Sequence, residues 1–273
     1  MLDFVLLVIG LAALWFGSDL LITAAISIAD RYRLSDAYIG MVVLAIGTDL
    51  PEMFGAADAS LHTLAGKDYS HIVIGSAIGS SIGPLGLVLG IAGCFGFASR
   101  PFHRVWRNGL FLLGGLGVVA AFCWDGVVSR AEGLILIGLY AAYMLSLAWW
   151  RPPADTGTTQ TPEHGLSKDL VWLMTGFVVL LFAADLTVTH AVGFAEYVGW
   201  SQLGVSAVLI GLGSSLPELS VSLIALWRGR GGLSVGNLLG SNVLDTLLVP
   251  GIGAVISPVL VPAEVLRLDI PLL

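Results

Sequence analysis

Charged side chains are what this sequence has least of. Asp, Glu, Lys and Arg make up 11% of its 273 residues, where a water-soluble domain carries about 25%. Too little polar material is present to cover a water-facing surface, which excludes an ordinary soluble globule. Cysteine is nearly absent: Cys94 and Cys123 are the only two, and both fall inside apolar runs, so a disulfide framework is not expected. No basic face suited to nucleic acid is present. The N-terminus lacks a basic leader region, and its apolar stretch runs past the about 7–15 residues of a signal peptide, with Asp19 inside it. It reads as a retained first membrane helix.

What the sequence has in abundance is apolar surface and glycine. Hydrophobic residues make up 56%, the mean hydropathy is +0.92 and there are 35 glycines, a residue frequent where membrane helices pack closely. A span needs about 20 apolar residues to cross ~30 Å of hydrocarbon. Eight such stretches fit, at 3–28, 37–60, 70–97, 108–125, 128–149, 169–192, 203–227 and 234–258. If they alternate, one side receives Arg31, Arg33, Arg100, Arg104, Arg107, Arg151, Lys168, Arg228 and Arg230, and the other only Lys67, Arg130 and Arg267. Basic residues concentrate on the cytoplasmic side, so the N-terminus is expected outside and the 151–168 connection in the cytoplasm. That connection holds the one polar, Pro/Thr-rich linker, and it divides the chain into 1–150 and 169–273.

The two parts repeat each other. At a constant offset of 166, Asp19 matches Asp185, Asp30 matches Glu196, Ser35 matches Ser201, Gly47 matches Gly213, Pro51 matches Pro217 and Glu52 matches Glu218. A second block, Gly75 to Pro84, matches Gly236 to Asp245 at offset 161, and Gly90/Gly251 and Pro101/Pro262 continue it. Five spans precede the linker, an odd number, so equivalent helices run in opposite directions. The predicted fold class is therefore all-α: a polytopic transmembrane helix bundle of two inverted-topology repeats, the usual construction of an alternating-access transporter.

Glu52 and Glu218 sit inside apolar helices, where a carboxylate costs about 2.5–3.5 kcal/mol or more. Each follows a proline, which has no N–H and clashes with the carbonyl four residues back, here that of Gly47 or Gly213. The released carbonyls need partners inside the protein or in a wet cavity. One hydroxyl precedes each glutamate by four residues, Thr48 and Ser214, hence on the same helix face. Ser241 and Asp245 repeat that spacing. Hydroxyl, carbonyl and carboxylate oxygens are what a hard cation such as Ca²⁺ or Na⁺ takes in place of water. The carboxylates could instead be neutral helix–helix hydrogen-bonders, but their repeat-related placement favours a cation site.

These motifs, Gly47-Thr48-Asp49-Leu50-Pro51-Glu52, Gly213-Ser214-Ser215-Leu216-Pro217-Glu218 and the block Gly236 to Asp245, resemble the alpha-repeats of the sodium/calcium exchanger family, within the calcium/cation antiporter superfamily. The resemblance covers essentially the whole chain. It implies secondary cation antiport by alternating access, with spans one and six moving against the rest. Carried over by motif, the implied ion ligands are Thr48, Asp49, Glu52 and Ser80 in the first half. In the second they are Ser214, Ser215, Glu218, Ser241 and Asp245, with backbone carbonyls near Ala45 and Gly211 completing the shell. The implied partners are inorganic cations and the lipid bilayer of a plasma or bacterial inner membrane. No cofactor beyond the transported ions, and no catalytic residue, is expected: an intramembrane serine hydrolase would need a base beside its serine, and the motif serines neighbour only carboxylates.

Two departures stand out. The family usually has a small hydroxyl residue where this chain has Asp49, and Pro84 stands where Asn or Asp would match Asp245. Two readings follow, charge relocated within one pocket or a first-half site that has drifted; a proton-coupled antiporter and a non-transporting homologue are the alternative expectations. Four acids (Asp49, Glu52, Glu218, Asp245) cannot all ionise in an apolar site without cations, so protons are expected to compete with the ion. The family fold has ten spans, five per half, and the second half here reads as truncated after its third. Other features take plainer readings. Asp19 and Asp185 are expected to pair locally or face water, and His190 to be a hydrogen-bonded helix residue. Asp58 with His62 is a weak metal pair, the glycines of 75–83 lack the lysine of a phosphate loop, and Arg228 and Arg230 read as topological anchors.

Overall fold

The computed structural model describes residues 2–67, 69, 70, 73, 86, 90, 105–149, 165–199, 213 and 215–261. Among them the secondary structure is helical save for one two-residue strand pair. In chain order the elements are α1 (Leu2–Tyr32), α2 (Asp36–Ile39), a π-helical turn (Gly40–Leu44), α3 (Ala45–Thr48) and α4 (Leu50–Leu64). Then come α5 (Val105–Phe122), a 3₁₀ turn (Cys123–Asp125), β1 (Val127–Val128), α6 (Arg130–Trp149), α7 (Leu166–Val198), α8 (Leu216–Trp227), α9 (Gly231–Ile256) and β2 (Val259–Leu260). Five described helices are long and apolar enough to cross a membrane, and a sixth span arises if Asp36–Thr48 and Leu50–Leu64, bent by 43°, count as one. The expected span at 70–97 and the first part of that at 203–227 lie outside the described residues; the end of the latter is α8. α1 and α7 overrun their expected limits at both ends, α7 by the most, running from Leu166 to Val198.

The described residues form two compact units. One takes in 2–48, 86, 90, 165–199, 213 and 215–238; the other takes in 49–67, 69, 70, 73, 105–149 and 239–261. Neither unit is one of the two sequence repeats: each draws on both, and the boundaries fall at the break between Thr48 and Asp49 and inside α9.

In the first unit α1 and α7 are antiparallel partners, and their contact carries the repeat into three dimensions. A Cβ on Gly10 would lie 2.5 Å from Thr187 Oγ1 and 3.1 Å from its backbone. A Cβ on Gly176 would lie 2.7 Å from Leu21 Cγ and 3.0 Å from its backbone nitrogen. Gly176 is Gly10 plus 166, and Thr187 is Leu21 plus 166, so one contact is the other viewed along an internal two-fold. Glycine lets the backbones approach this closely. Around that seam Leu21, Ile22, Leu44, Leu180, Val221 and Leu233 are fully or almost fully buried together.

Charged groups fasten the ends of this pair. Asp169, buried at the start of α7, accepts from Ser27 Oγ at 2.9 Å and Arg31 Nη2 at 3.2 Å at the end of α1. Asp3, its repeat counterpart at the start of α1, lies 2.9 Å from His190 Nδ1 near the end of α7. His190 is thus hydrogen-bonded, as expected. Arg228 and Arg230 are more than anchors: Arg228 pairs with Asp19 and donates to Thr23 Oγ1 at 2.7 Å, while Arg230 reaches Asp36 at 3.4 Å and Asp30 at 4.0 Å. Asp19 therefore pairs far along the chain, not locally. Asp185 is exposed and has no ion pair among the described residues. These links place Arg31, Asp36, Asp169 and Arg230 at one end of the unit and Asp3 and His190 at the other, in keeping with alternating spans.

In the second unit α6 packs against α9: a Cβ on Gly251 would lie 2.9 Å from Ile137 Cγ1 and 3.1 Å from the Gly133 carbonyl. β1 pairs antiparallel with β2, Val127 opposite Leu260 and Val128 opposite Val259. Val261 N–H extends the ladder to the Gly126 carbonyl at 2.9 Å, and Arg130 caps the Ile256 carbonyl at 3.1 Å. Cys123 is a buried free thiol in the turn that ends this span. Hydropathy does not decide which helix is inside. α5 and α9 have similar values, 1.4 and 1.5, yet 17% of the first and 78% of the second is buried. What separates them is α9's burden of Ser234, Asn237, Ser241, Asn242, Asp245 and Thr246, all buried, which lipid could not solvate.

Candidate cation site

Each proline–glutamate motif begins a helix. Asp49 leaves helical geometry at φ −88°, ψ 6°, and α4 then starts at Leu50 with Pro51 in its first turn and Glu52 after it. Ser215 does the same at φ −94°, ψ 7°, ahead of Leu216, Pro217 and Glu218 in α8. The first backbone bonds also match: Met53 N–H to the Asp49 carbonyl at 3.1 Å, and Leu219 N–H to the Ser215 carbonyl at 3.0 Å. Proline suits a first helical turn, where its missing N–H has no partner to lose. It leaves the preceding segment without the donor that would have continued the helix. The break expected from Pro51 and Pro217 is therefore present, two residues before each proline.

Both glutamates are 4% exposed. They occupy the first turn of their helices, where the N-terminal end of the macrodipole favours an anion. Gly47 lets the segment before the first break lie against α7, and Gly213 itself comes close to that helix. A Cβ on Gly47 would fall 2.0 Å from the Phe177 ring, and one on Gly213 would fall 2.6 Å from Val188 Cγ2. In the first unit α3 touches both α7 and α8. Thr48 is buried and donates to the Ala45 carbonyl at 3.2 Å, so two of the expected ligand groups are already joined. Ser215 is fully buried, and its hydroxyl has no hydrogen-bond partner among the described residues.

The second unit holds Asp49, Glu52, Ser241 and Asp245, all buried. Ser241 and Asp245 lie one turn apart on α9, as their spacing requires, and the Ser241 hydroxyl has no partner among the described residues. Ser80, Ser214 and Gly211, together with Pro84, lie outside the described residues. Among the described residues no three His, Cys, Asp or Glu side chains gather as a metal-holding group; Glu218 belongs to one unit and the other three acids to the other. Asp58 and His62 form an exposed pair at 3.7 Å without a third such ligand.

Two groups escaped the sequence reading. Asn237 is fully buried and donates from Nδ2 to Ser222 Oγ at 3.1 Å and to the Glu218 carbonyl at 3.4 Å, which fastens the first turn of α8 to α9. An amide inside an apolar run was the available signal. Tyr140 on α6 is 8% exposed, with a hydroxyl that has no partner among the described residues. A single tyrosine in a span gives no such signal.

Buried carboxylates at twinned helix breaks, inside an apolar bundle with an inverted repeat, define a secondary transporter of cations. The chain belongs to the sodium/calcium exchanger protein family, which its residues 2–149 and 168–273 match. It is 30% identical over 267 residues to the inner membrane protein YrbG of Escherichia coli strain K12, covering 93% of this chain and 79% of that one. It is 26% identical over 297 residues to the sodium/calcium exchanger MaX1 of Methanosarcina acetivorans, covering 94% and 83%. Its fold is similar to that of the sodium-calcium exchanger NCX_Mj in crystals soaked with Na⁺ and Ca²⁺, with a TM-score of 0.79 and 29% identity over 99% of this chain and 87% of the other.

Proposed function

We propose that this chain exchanges Na⁺ for Ca²⁺ across a cell membrane by alternating access, as a transporter and not an enzyme, with no cofactor besides the ions it moves. The observation that carries this reading is the pair Glu52 and Glu218: two carboxylates buried to the same degree, each in the first turn of a helix that begins at the same kind of backbone break. A hard divalent cation needs several oxygens and at least partial charge compensation. Thr48, Asp49, Glu52 and Ser80 would supply them from the first half. Ser214, Ser215, Glu218, Ser241 and Asp245 would supply them from the second, with the carbonyls of Ala45 and Gly211. The proposed threading has the N-terminus outside and 151–168 in the cytoplasm; the common end of Arg31, Asp36, Asp169 and Arg230 in the first unit supports it.

Calcium uptake into proteoliposomes of this chain, driven by an outward sodium gradient, tests the reading. Sodium-dependent uptake that disappears in Glu218→Gln is expected. Uptake indifferent to sodium, or retained in the variant, would overturn it.

A further inference from the structure

One amide in the first unit touches the helix of each proline–glutamate motif's partner span. Asn237 Nδ2, on α9, donates to Ser222 Oγ at 3.1 Å and to the Glu218 carbonyl at 3.4 Å. Ser222 follows Glu218 by four residues on α8, so the two acceptors lie one above the other on one helix face and the amide spans the first turn. A carbonyl only accepts, so the nitrogen of the amide must face Glu218, and both of its N–H groups are then spent on α8. Asn237 and Ser222 are both fully buried, and the amide oxygen has no partner among the described residues. An unspent buried acceptor is destabilising, and an apolar side chain of the same shape would join the two helices as well or better. The amide therefore answers a need other than packing.

Its backbone is held from the other side by the approach to the first break. A Cβ on Gly40, in the π-helical turn, would lie 2.8 Å from Asn237 N and 2.5 Å from the Leu233 carbonyl, and a Cβ on Gly236 would meet the Ala37 carbonyl of α2. Asn237 thus sits on a closely seated stretch of α9 and reaches from it to the helix that starts at the second break. The first half cannot copy the link: at the repeat offsets Asn237 corresponds to Ser76, and Ser222 to Ala56, which offers no side-chain acceptor.

We propose that Asn237 is a positioning residue of the cation site: its amide holds the first turn of α8, and with it the Glu218 carboxylate, in place for a divalent cation. The proposal rests on the exchange reading above, in which Glu218 is an ion ligand. Without the amide, Glu218 keeps its charge and its helix but loses its fixed position. The loss falls on ion affinity, and it falls harder on a doubly charged ion than on a singly charged one, because the Coulomb energy scales with the charge.

The test is calcium binding to the purified full chain in detergent, by calorimetry, alone and against competing sodium, for the wild type, Asn237→Leu, Ser222→Ala and the double variant. Asn237→Leu is expected to weaken calcium about tenfold, the lower end for a group that orients a metal ligand, and sodium about threefold, with the number of ions bound per chain unchanged. Ser222→Ala, which leaves the link to the Glu218 carbonyl, should cost calcium about twofold and add nothing in the Asn237→Leu background, the mark of a coupled pair. Wild-type calcium affinity in Asn237→Leu would overturn the proposal. So would equal losses for the two ions, or a fall in ions bound per chain at unchanged affinity, either of which marks a merely structural amide. If Asn237→Leu does not fold, Ser222→Ala decides by the same comparison of the two ions. A wild type that binds calcium and shows this pattern but carries no sodium-driven flux would remove the exchange reading and leave the positioning role; flux with a silent Asn237→Leu would do the reverse.

Discussion

The two proline breaks share a backbone and differ in what surrounds it. Asp49 and Ser215 agree within a few degrees in both φ and ψ, and the glutamates that follow are equally buried. Yet one break presents a carboxylate and lies against an aromatic ring, while the other presents a hydroxyl and lies against a valine. The Leu-Pro-Glu sequence common to both fixes the geometry, because proline's ring and missing N–H act locally. The residue just before it is not needed for the break, and this is where the two halves have separated in chemistry.

The comparison can be broken most decisively at the shared position. Glu52→Gln and Glu218→Gln should each weaken sodium-driven calcium uptake at least ~100-fold, because each deletes a unit charge a few ångströms from a divalent ion in a poorly solvated site. A silent Glu52→Gln beside a dead Glu218→Gln would show that the first motif keeps the shape of a site without its use. A smaller effect sharpens the difference between the halves. Asp49→Ser makes the first motif resemble the second, and since the Coulomb energy doubles for a doubly charged ion, a loss of about threefold for sodium implies about tenfold for calcium. Competition between the two ions in binding would read that ratio, and equal losses would remove the acid from the ion's surroundings. The smallest expected effect is on packing. Gly47→Ala must displace the Phe177 ring and should lower the melting temperature by roughly 5 °C, in line with the cost of overpacking. Gly213→Ala, with more room against Val188, should lower it less.

Much of this was legible from the residues. An acid after a proline inside an apolar run is too costly to be incidental, which is why Glu52 and Glu218, their breaks and the inverted repeat could be read directly. The repeat was even richer than the motifs suggested, since Gly10/Gly176 and Asp3/Asp169 also stand 166 apart and take equivalent places on α1 and α7. Other features carried no local mark. The π-helical turn at Gly40–Leu44 has the apolar composition of any span, so nothing in its side chains separates five residues per bond from four. The ion pairs of Arg228 and Arg230 join residues about two hundred positions apart, and positive-inside counting sees only their side of the membrane. α9 looked no more interior than α5 by hydropathy; its polar residues were the better guide to burial.

The short ribbon of β1 and β2 has a consequence in time. Val127 and Val128 leave the ribosome well over a hundred residues before Leu260 and Val259, their partners. Until then the turn between α5 and α6 has no strand to pair with, and the Gly126 carbonyl has no Val261 to bind. The hairpin of those two spans therefore enters the bilayer as an open clasp, and the arrival of α9 snaps it shut. Assembly of this unit is ordered by synthesis: the hairpin of α5 and α6 is made before the strand that secures its turn.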